Sequence, residues 1–135
     1  VFGLQKMGAE VLLCAPPHLI PKFMLEFGVK ISHDINEALE WSDALNILRI
    51  QRERMGIGLV PSVKEYRDLF GVTKERLQRL NKEVVIMHPG PINRGVEVDT
   101  YVADSDQSVI LNQVLNGVAV RMSILYLLLG ATNES

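Results

Sequence analysis

Four short apolar runs, each halted by proline, glycine or a polar turn, limit most strongly what this chain can fold into: residues 10–15 (EVLLCA), 29–32, 44–50 and 84–87. Runs this short, with no strict alternation, fit strands buried on both faces rather than long helices or half-exposed strands. The stretches between them carry helical signals. Strands separated by helical segments pair in parallel through crossovers, so the pattern predicts an α/β layered domain. In such sheets ligands bind outside the carboxyl ends of the strands, which directs attention to the ends at Arg49 and at His88.

The helical signals are specific. Residues 1–7 read as the interior of a helix with Gly8 as its cap, with no capping residue ahead, so the sequence reads as a segment of a longer chain. Pro21 fits the first turn of a helix through Phe27, with Phe23, Met24 and Phe27 on a core-facing side and Gly28 behind. Asp34 or Asn36 can cap a helix through Trp41, Ser62 one through Phe70 ended by Gly71, and Thr73 one through Asn81. Residues 55–63 hold two glycines and a proline without a period and read as a loop. The last element, residues 108–129, is apolar for about twenty residues, the length of a membrane span. Asn112, Gln113, Asn116 and Arg121 within it argue instead for a helix packed between two bodies, one of them outside this segment.

Composition excludes several classes of function. Fourteen basic and sixteen acidic residues leave a net charge of -2, and aromatic residues make up 6%, so neither an electrostatic footprint nor a stacking surface for nucleic acid is present. Cys14, the sole cysteine, lies in an apolar run and reads as an inert buried thiol in a reducing compartment. His18, His33 and His88 sit on separate segments without carboxylates at ligand spacing, so neither metal nor cofactor is expected. A phosphate loop, a dinucleotide fingerprint and a serine nucleophile elbow are absent from the sequence.

Two stretches can carry chemistry. In an extended chain Arg49, Gln51 and Glu53 share one face while Leu48 and Ile50 turn to the core. A guanidinium can grip a carboxylate with two parallel hydrogen bonds, and an adjacent amide adds a donor. Spacing alone leaves two readings open, a carboxylate clamp or a strand-end ion pair. The second stretch is His88-Pro89-Gly90-Pro91. Its prolines remove two backbone donors and its glycine permits close approach, so its carbonyl oxygens suit an amide or amine N–H; a stiff turn is the other reading. Gly90-Pro91 is a candidate cis peptide. His88, with no partner evident in the sequence, reads more readily as structural than as catalytic.

LRIQRER at 48–54, HPGPINRGVEVD at 88–99 and NQVLNGVAVRMSILYLLL at 112–129 together resemble the carboxyl-terminal half of aspartate carbamoyltransferase catalytic chains. The related ornithine enzymes are similar in architecture but have Cys after the loop His and a Ser-Met-Gly loop, neither of which occurs here. The resemblance implies a Rossmann-like three-layer α/β domain with a parallel sheet, residues 1–135, that binds L-aspartate while a carbamoyl-phosphate domain is supplied upstream. It implies that Arg49 and Gln51 bind the aspartate side chain and that Gly90 and Pro91 meet the carbamoyl and amino nitrogens. Glu53 and Glu97 would orient Arg49, Arg54 would bridge to the other domain, and His88 and Pro89 would support the loop. It further implies a cytoplasmic homotrimer with shared active sites, which can associate with regulatory or dihydroorotase subunits, and no nucleic-acid or membrane partner.

Overall fold

A computed structural model describes residues 1–50 and 62–130. The chain runs α1 (Phe2–Lys6), β1 (Leu12–Cys14), two 3-10 segments (Pro17–Leu19 and Lys22–Phe27), β2 (Lys30–Ser32), α2 (Ile35–Trp41) and β3 (Ala44–Asn46). It continues through α3 (Val63–Phe70), α4 (Lys74–Gln78), β4 (Val85–Met87), α5 (Thr100–Ala103) and α6 (Ile110–Gly130). Both strand pairings are parallel, as the alternation of strand and helix predicts: β1 with β2, Leu13 opposite Ile31, and β3 with β4, Leu45 opposite Ile86. The expected parallel sheet is resolved into two hydrogen-bonded pairs that serve one core. Cys14 and Leu45, one from each pair, pack on the cluster built from Leu39, Val72, Val84, Ile86, Val98 and Val102.

β4 is the best-held strand. Ile47 N–H donates to Met87 O on one side (2.9 Å), while on the other Ile86 N–H donates to Gln107 O and Val109 N–H to Ile86 O, both at 2.9 Å. Val84 and Ile86 are therefore completely enclosed. The helix starts are fixed as their sequence signals require. Asp34 accepts from Asn36 N–H (2.8 Å), Ser62 from Glu65 N–H (3.2 Å) and Thr73 from Arg76 N–H (3.3 Å), each removing an orphan donor of the first turn. α4 stops at Gln78 rather than Asn81. At the end of α3, a Cβ on Gly71 would come within 2.6 Å of Arg67 O and 2.9 Å of Val96 O, so only glycine fits between these backbones.

Two expectations are corrected. β3 leaves its ladder after Asn46, because beyond Met87 the partner strand offers Pro89, which has no N–H to extend the pairing. The two-residue facing expected of an extended chain at 48–53 then fails: Ile47 and Ile50 are buried, whereas Leu48, expected in the core, is 65% exposed. The segment Lys22–Phe27 is a 3-10 helix with Pro21 ahead of it and Gly28 left-handed behind it. Its side chains follow a threefold rather than a 3.6-residue repeat. Phe23 and Phe27 meet edge to face at 6.2 Å but stay exposed to solvent in this chain, so they are not core residues of it. Helix α6 rests on β4 only through its first turns, where Ile110 is buried and Gln113 donates to Asn46 Oδ1 at 3.3 Å. Beyond this it presents Leu115, Val118, Met122 and Leu125 to solvent. By length and mean hydropathy (1.4) it could span a bilayer, and an open groove runs along it from Met87 to Leu125.

Candidate functional site

The carboxyl ends of β3 and β4 lie side by side, so the chain places Arg49 next to the loop that follows Met87. The loop is tied down from within. His88 is fully buried, and its Nδ1 accepts the N–H of Gly90 at 2.8 Å. Accepting at Nδ1 fixes the neutral tautomer with the proton on Nε2. Burial, the larger influence, pushes the imidazole below its ordinary range, while the nearby Glu97 carboxylate opposes that shift. His88 Nε2 and Glu97 Oε1 are 3.6 Å apart, an electrostatic contact rather than a hydrogen bond. His88 thus props the loop from within.

Gly90 adopts a φ of +71°, a left-handed conformation that a side chain would strain, and the Gly90-Pro91 peptide is cis, as the sequence suggested. Past the prolines, Asn93 N–H donates to Glu97 Oε1 at 2.6 Å. Glu97 is 1% exposed, so a carboxylate is held inside the protein at the base of the loop. Its charge also reaches α3: Tyr66 is pushed up to about 12, first by its own burial and then by Glu97. The aromatic ring of Tyr66 stacks on that of Phe70, one turn further along α3, at 5.5 Å.

Arg49 is half-buried, and its Nε points to Asn93 Oδ1 at 3.5 Å. The Asn93 amide also donates from Nδ2 to Ile50 O at 3.3 Å. One side chain therefore joins the end of β3 to the proline loop. Of the residues singled out in the sequence, Arg49, His88, Pro89, Gly90, Pro91 and Glu97 are brought to this one end of the molecule. Gln51, Glu53 and Arg54 lie outside the described residues. Glu97 connects to Arg49 by way of Asn93. Asn93 was given no role by sequence reasoning, although it falls inside the HPGPINRGVEVD stretch; an amide two residues past a Pro-Gly-Pro turn was the available signal.

The surrounding charges are paired in ways that fix the frame. Arg67 Nη2 contacts Asp99 Oδ1 at 2.8 Å, and Asp99 also accepts from Lys74 N–H at 3.3 Å. Arg94 and Asp104 form a two-pronged pair, both contacts at 2.8 Å. Among the described residues no group of histidine, cysteine or acidic side chains has the geometry of a metal site. Cys14 is half-buried, and burial pushes its thiol up to about 11, which keeps it protonated and unreactive.

Parallel strand pairs joined by helices, with a cation and a carbonyl-rich loop meeting at adjacent carboxyl ends, define an α/β ligand-binding domain of the Rossmann-like kind. Comparison with known proteins is specific. The chain belongs to the aspartate/ornithine carbamoyltransferase family: residues 1–128 match the family model described as "Aspartate/ornithine carbamoyltransferase, Asp/Orn binding domain". It is 58% identical over 130 residues to the aspartate carbamoyltransferase catalytic subunit of Cytophaga hutchinsonii, covering 96% of this chain and 42% of that protein. The corresponding subunit of Carboxydothermus hydrogenoformans is 52% identical over 136 residues, covering all of this chain and 43% of that one. Among solved structures, aspartate transcarbamoylase from Trypanosoma cruzi with carbamoyl aspartate and phosphate aligns with a TM-score of 0.69 and 27% identity, covering 86% of this chain and 39% of that one. Ornithine carbamoyltransferase from Burkholderia thailandensis aligns at 0.70 with 22% identity, covering 92% and 40%, a likeness of fold. The chain spans about two fifths of the length of the relatives it matches.

Proposed function

We propose that this chain is the L-aspartate-binding half of an aspartate carbamoyltransferase, which joins carbamoyl phosphate and L-aspartate into N-carbamoyl-L-aspartate and phosphate for pyrimidine biosynthesis. The observation that carries the reading is the linkage of Arg49, through Asn93, to the segment that follows the proline loop at the end of β4. Relatives more than half identical bear the name aspartate carbamoyltransferase, which favours aspartate over ornithine.

In this reading Arg49, assisted by Gln51, grips the side-chain carboxylate of aspartate with parallel hydrogen bonds. The carbonyl oxygens of Gly90 and Pro91 accept N–H from the attacking amine and the carbamoyl nitrogen. The amine lone pair attacks the carbamoyl carbon, a C–N bond forms, the bond from that carbon to the phosphate oxygen breaks, and the departing phosphate takes up the amine proton. The substrate is itself the nucleophile, so positioning and charge stabilisation account for the acceleration. Glu53 and Glu97 aim Arg49, Arg54 bridges to the carbamoyl-phosphate domain, and His88 and Pro89 keep the loop in shape. That upstream domain covers the apolar face of α6. The whole enzyme is a cytoplasmic homotrimer.

The test is Arg49→Ala in the full-length enzyme. Its kcat/KM for aspartate is expected to fall by about a hundredfold or more, with carbamoyl-phosphate affinity unchanged. Wild-type aspartate kinetics, or faster turnover of ornithine than of aspartate by the parent enzyme, would overturn the reading.

A further inference from the structure

Asn93 stands at a junction between the β3 end and the proline loop. Its backbone carbonyl accepts from Val96 N–H at 3.1 Å, and three further interactions bear on the bridge. Its Oδ1 receives Arg49 Nε at 3.5 Å, its Nδ2 donates to Ile50 O at 3.3 Å, and its backbone N–H donates to Glu97 Oε1 at 2.6 Å. The first two set the side-chain requirement. A guanidinium has donors only and a peptide oxygen only accepts, so a bridging group must accept at one end and donate at the other. A carboxamide does both. An aspartate in its place would set a carboxylate against the Ile50 carbonyl, and a leucine would satisfy neither end.

The third bond makes the bridge stiff. The Glu97 carboxylate that holds the Asn93 backbone is enclosed, lies 3.6 Å from the enclosed His88 imidazole, and His88 in turn holds Gly90 N–H. A side chain on a backbone anchored in that way offers the Arg49 Nε a held acceptor beside the proline loop. We infer that Asn93 is a positioning residue for the carbamoyl-transfer site, setting the orientation of Arg49 and thereby the apparent affinity for the dicarboxylic amino acid. The inference rests on the functional reading given above, in which Arg49 grips aspartate. Asn93 need not touch the substrate; it determines where the group that does is pointed.

The experiment compares Asn93→Leu, Asn93→Asp and Arg49→Ala in the full-length enzyme. It measures kcat, KM for aspartate, carbamoyl-phosphate Kd and thermal midpoint. Misaiming a gripping group by about an ångström costs ten- to a hundredfold, so Asn93→Leu is expected to raise the aspartate KM by about tenfold or more. Its carbamoyl-phosphate Kd should stay within about twofold of wild type. Asn93→Asp should raise the aspartate KM at least as far, because its carboxylate competes with the substrate's for the same guanidinium. A merely structural role would instead lower the thermal midpoint and Vmax while leaving the aspartate KM in place, and that outcome overturns the inference. Wild-type aspartate KM in both Asn93 variants alongside a collapsed Arg49→Ala enzyme overturns it too, while sparing the functional reading. If Arg49→Ala also keeps its aspartate KM, the functional reading fails and this inference with it.

Discussion

The molecule contains two parallel strand pairs, and their carboxyl ends have been put to different uses. At the end of β1 and β2 the polar groups close on one another. Asp34 caps α2, Ser32 Oγ bonds to the Glu37 carboxylate, and the His33 ring bonds through Nδ1 to Ala15 O at 2.7 Å. At the end of β3 and β4 the polar groups are arranged in a chain: Gly90 to His88, His88 beside Glu97, Glu97 to Asn93, Asn93 to Arg49. The first end uses its polarity to start a helix. The second strings buried polar groups together as far as the Arg49 guanidinium, and the difference lies in where the titratable groups sit. His33 and Asp34 are exposed, whereas His88 and Glu97 are enclosed. Buried polar groups fix geometry because leaving them unpaired is costly, while exposed ones can exchange partners with water at little loss.

Perturbing the two ends should therefore give different signatures. Arg49→Ala, with its expected hundredfold or greater loss in kcat/KM for aspartate, has the largest effect and should leave the thermal midpoint nearly unmoved, since Arg49 is only half-buried. Glu97→Ala comes next and strikes both properties. It removes the acceptor of the Asn93 N–H and leaves a void beside His88, which should cost about 1–3 kcal/mol in denaturant unfolding, with a raised aspartate KM. A Glu97→Ala enzyme of normal stability and normal aspartate KM would erase the distinction between the ends. An equal loss of aspartate affinity from mutating Ser32 or Asp34 would erase it from the other side.

Much of this contrast was legible in the sequence, and the part that was not has physical causes. A capping side chain accepts from a backbone N–H two or three positions on, so Ser62 and Thr73 could be placed from spacing alone and the α2 cap narrowed to Asp34 or Asn36. Likewise His88-Pro89-Gly90-Pro91 announced a loop stripped of donors, and the position of Arg49 after an apolar run announced a cation at a strand end, with clamp and ion pair both left open. Asn93 was silent because its importance depends on a side chain 44 positions away. Leu48 misled because alternation holds only while a strand has a neighbour, and Pro89 removes that neighbour's next donor. Phe23 and Phe27 misled because apolar spacing shows that a face seeks cover, not that the same chain supplies it.

Smaller effects sharpen the comparison further. Asp34→Ala should destabilise by about 1 kcal/mol through loss of the α2 cap and should leave the aspartate KM as it is. A change in that KM would mean that the two ends communicate through α2, which packs on both β1 and β2.

The smallest effect is a pH dependence at the second end. Burial depresses the folded-state pKa of His88 below the unfolded value of about 6.5, so the unfolded chain binds the extra proton more readily. The His88 contribution to stability is therefore complete above about pH 6.5 and is lost as pH falls through the folded-state value. Protonation would also place an N–H at Nδ1 against the N–H of Gly90, breaking the bond that shapes the loop. In His88→Asn the amide oxygen can take the place of Nδ1 and accept from Gly90, but the group no longer titrates. Unfolding free energies of parent and variant, measured from pH 8 down to about 5, should thus converge as pH falls, because only the parent carries the His88 proton linkage. The same convergence in His33→Asn, whose parent ring is exposed, would show that burial is not what separates these histidines.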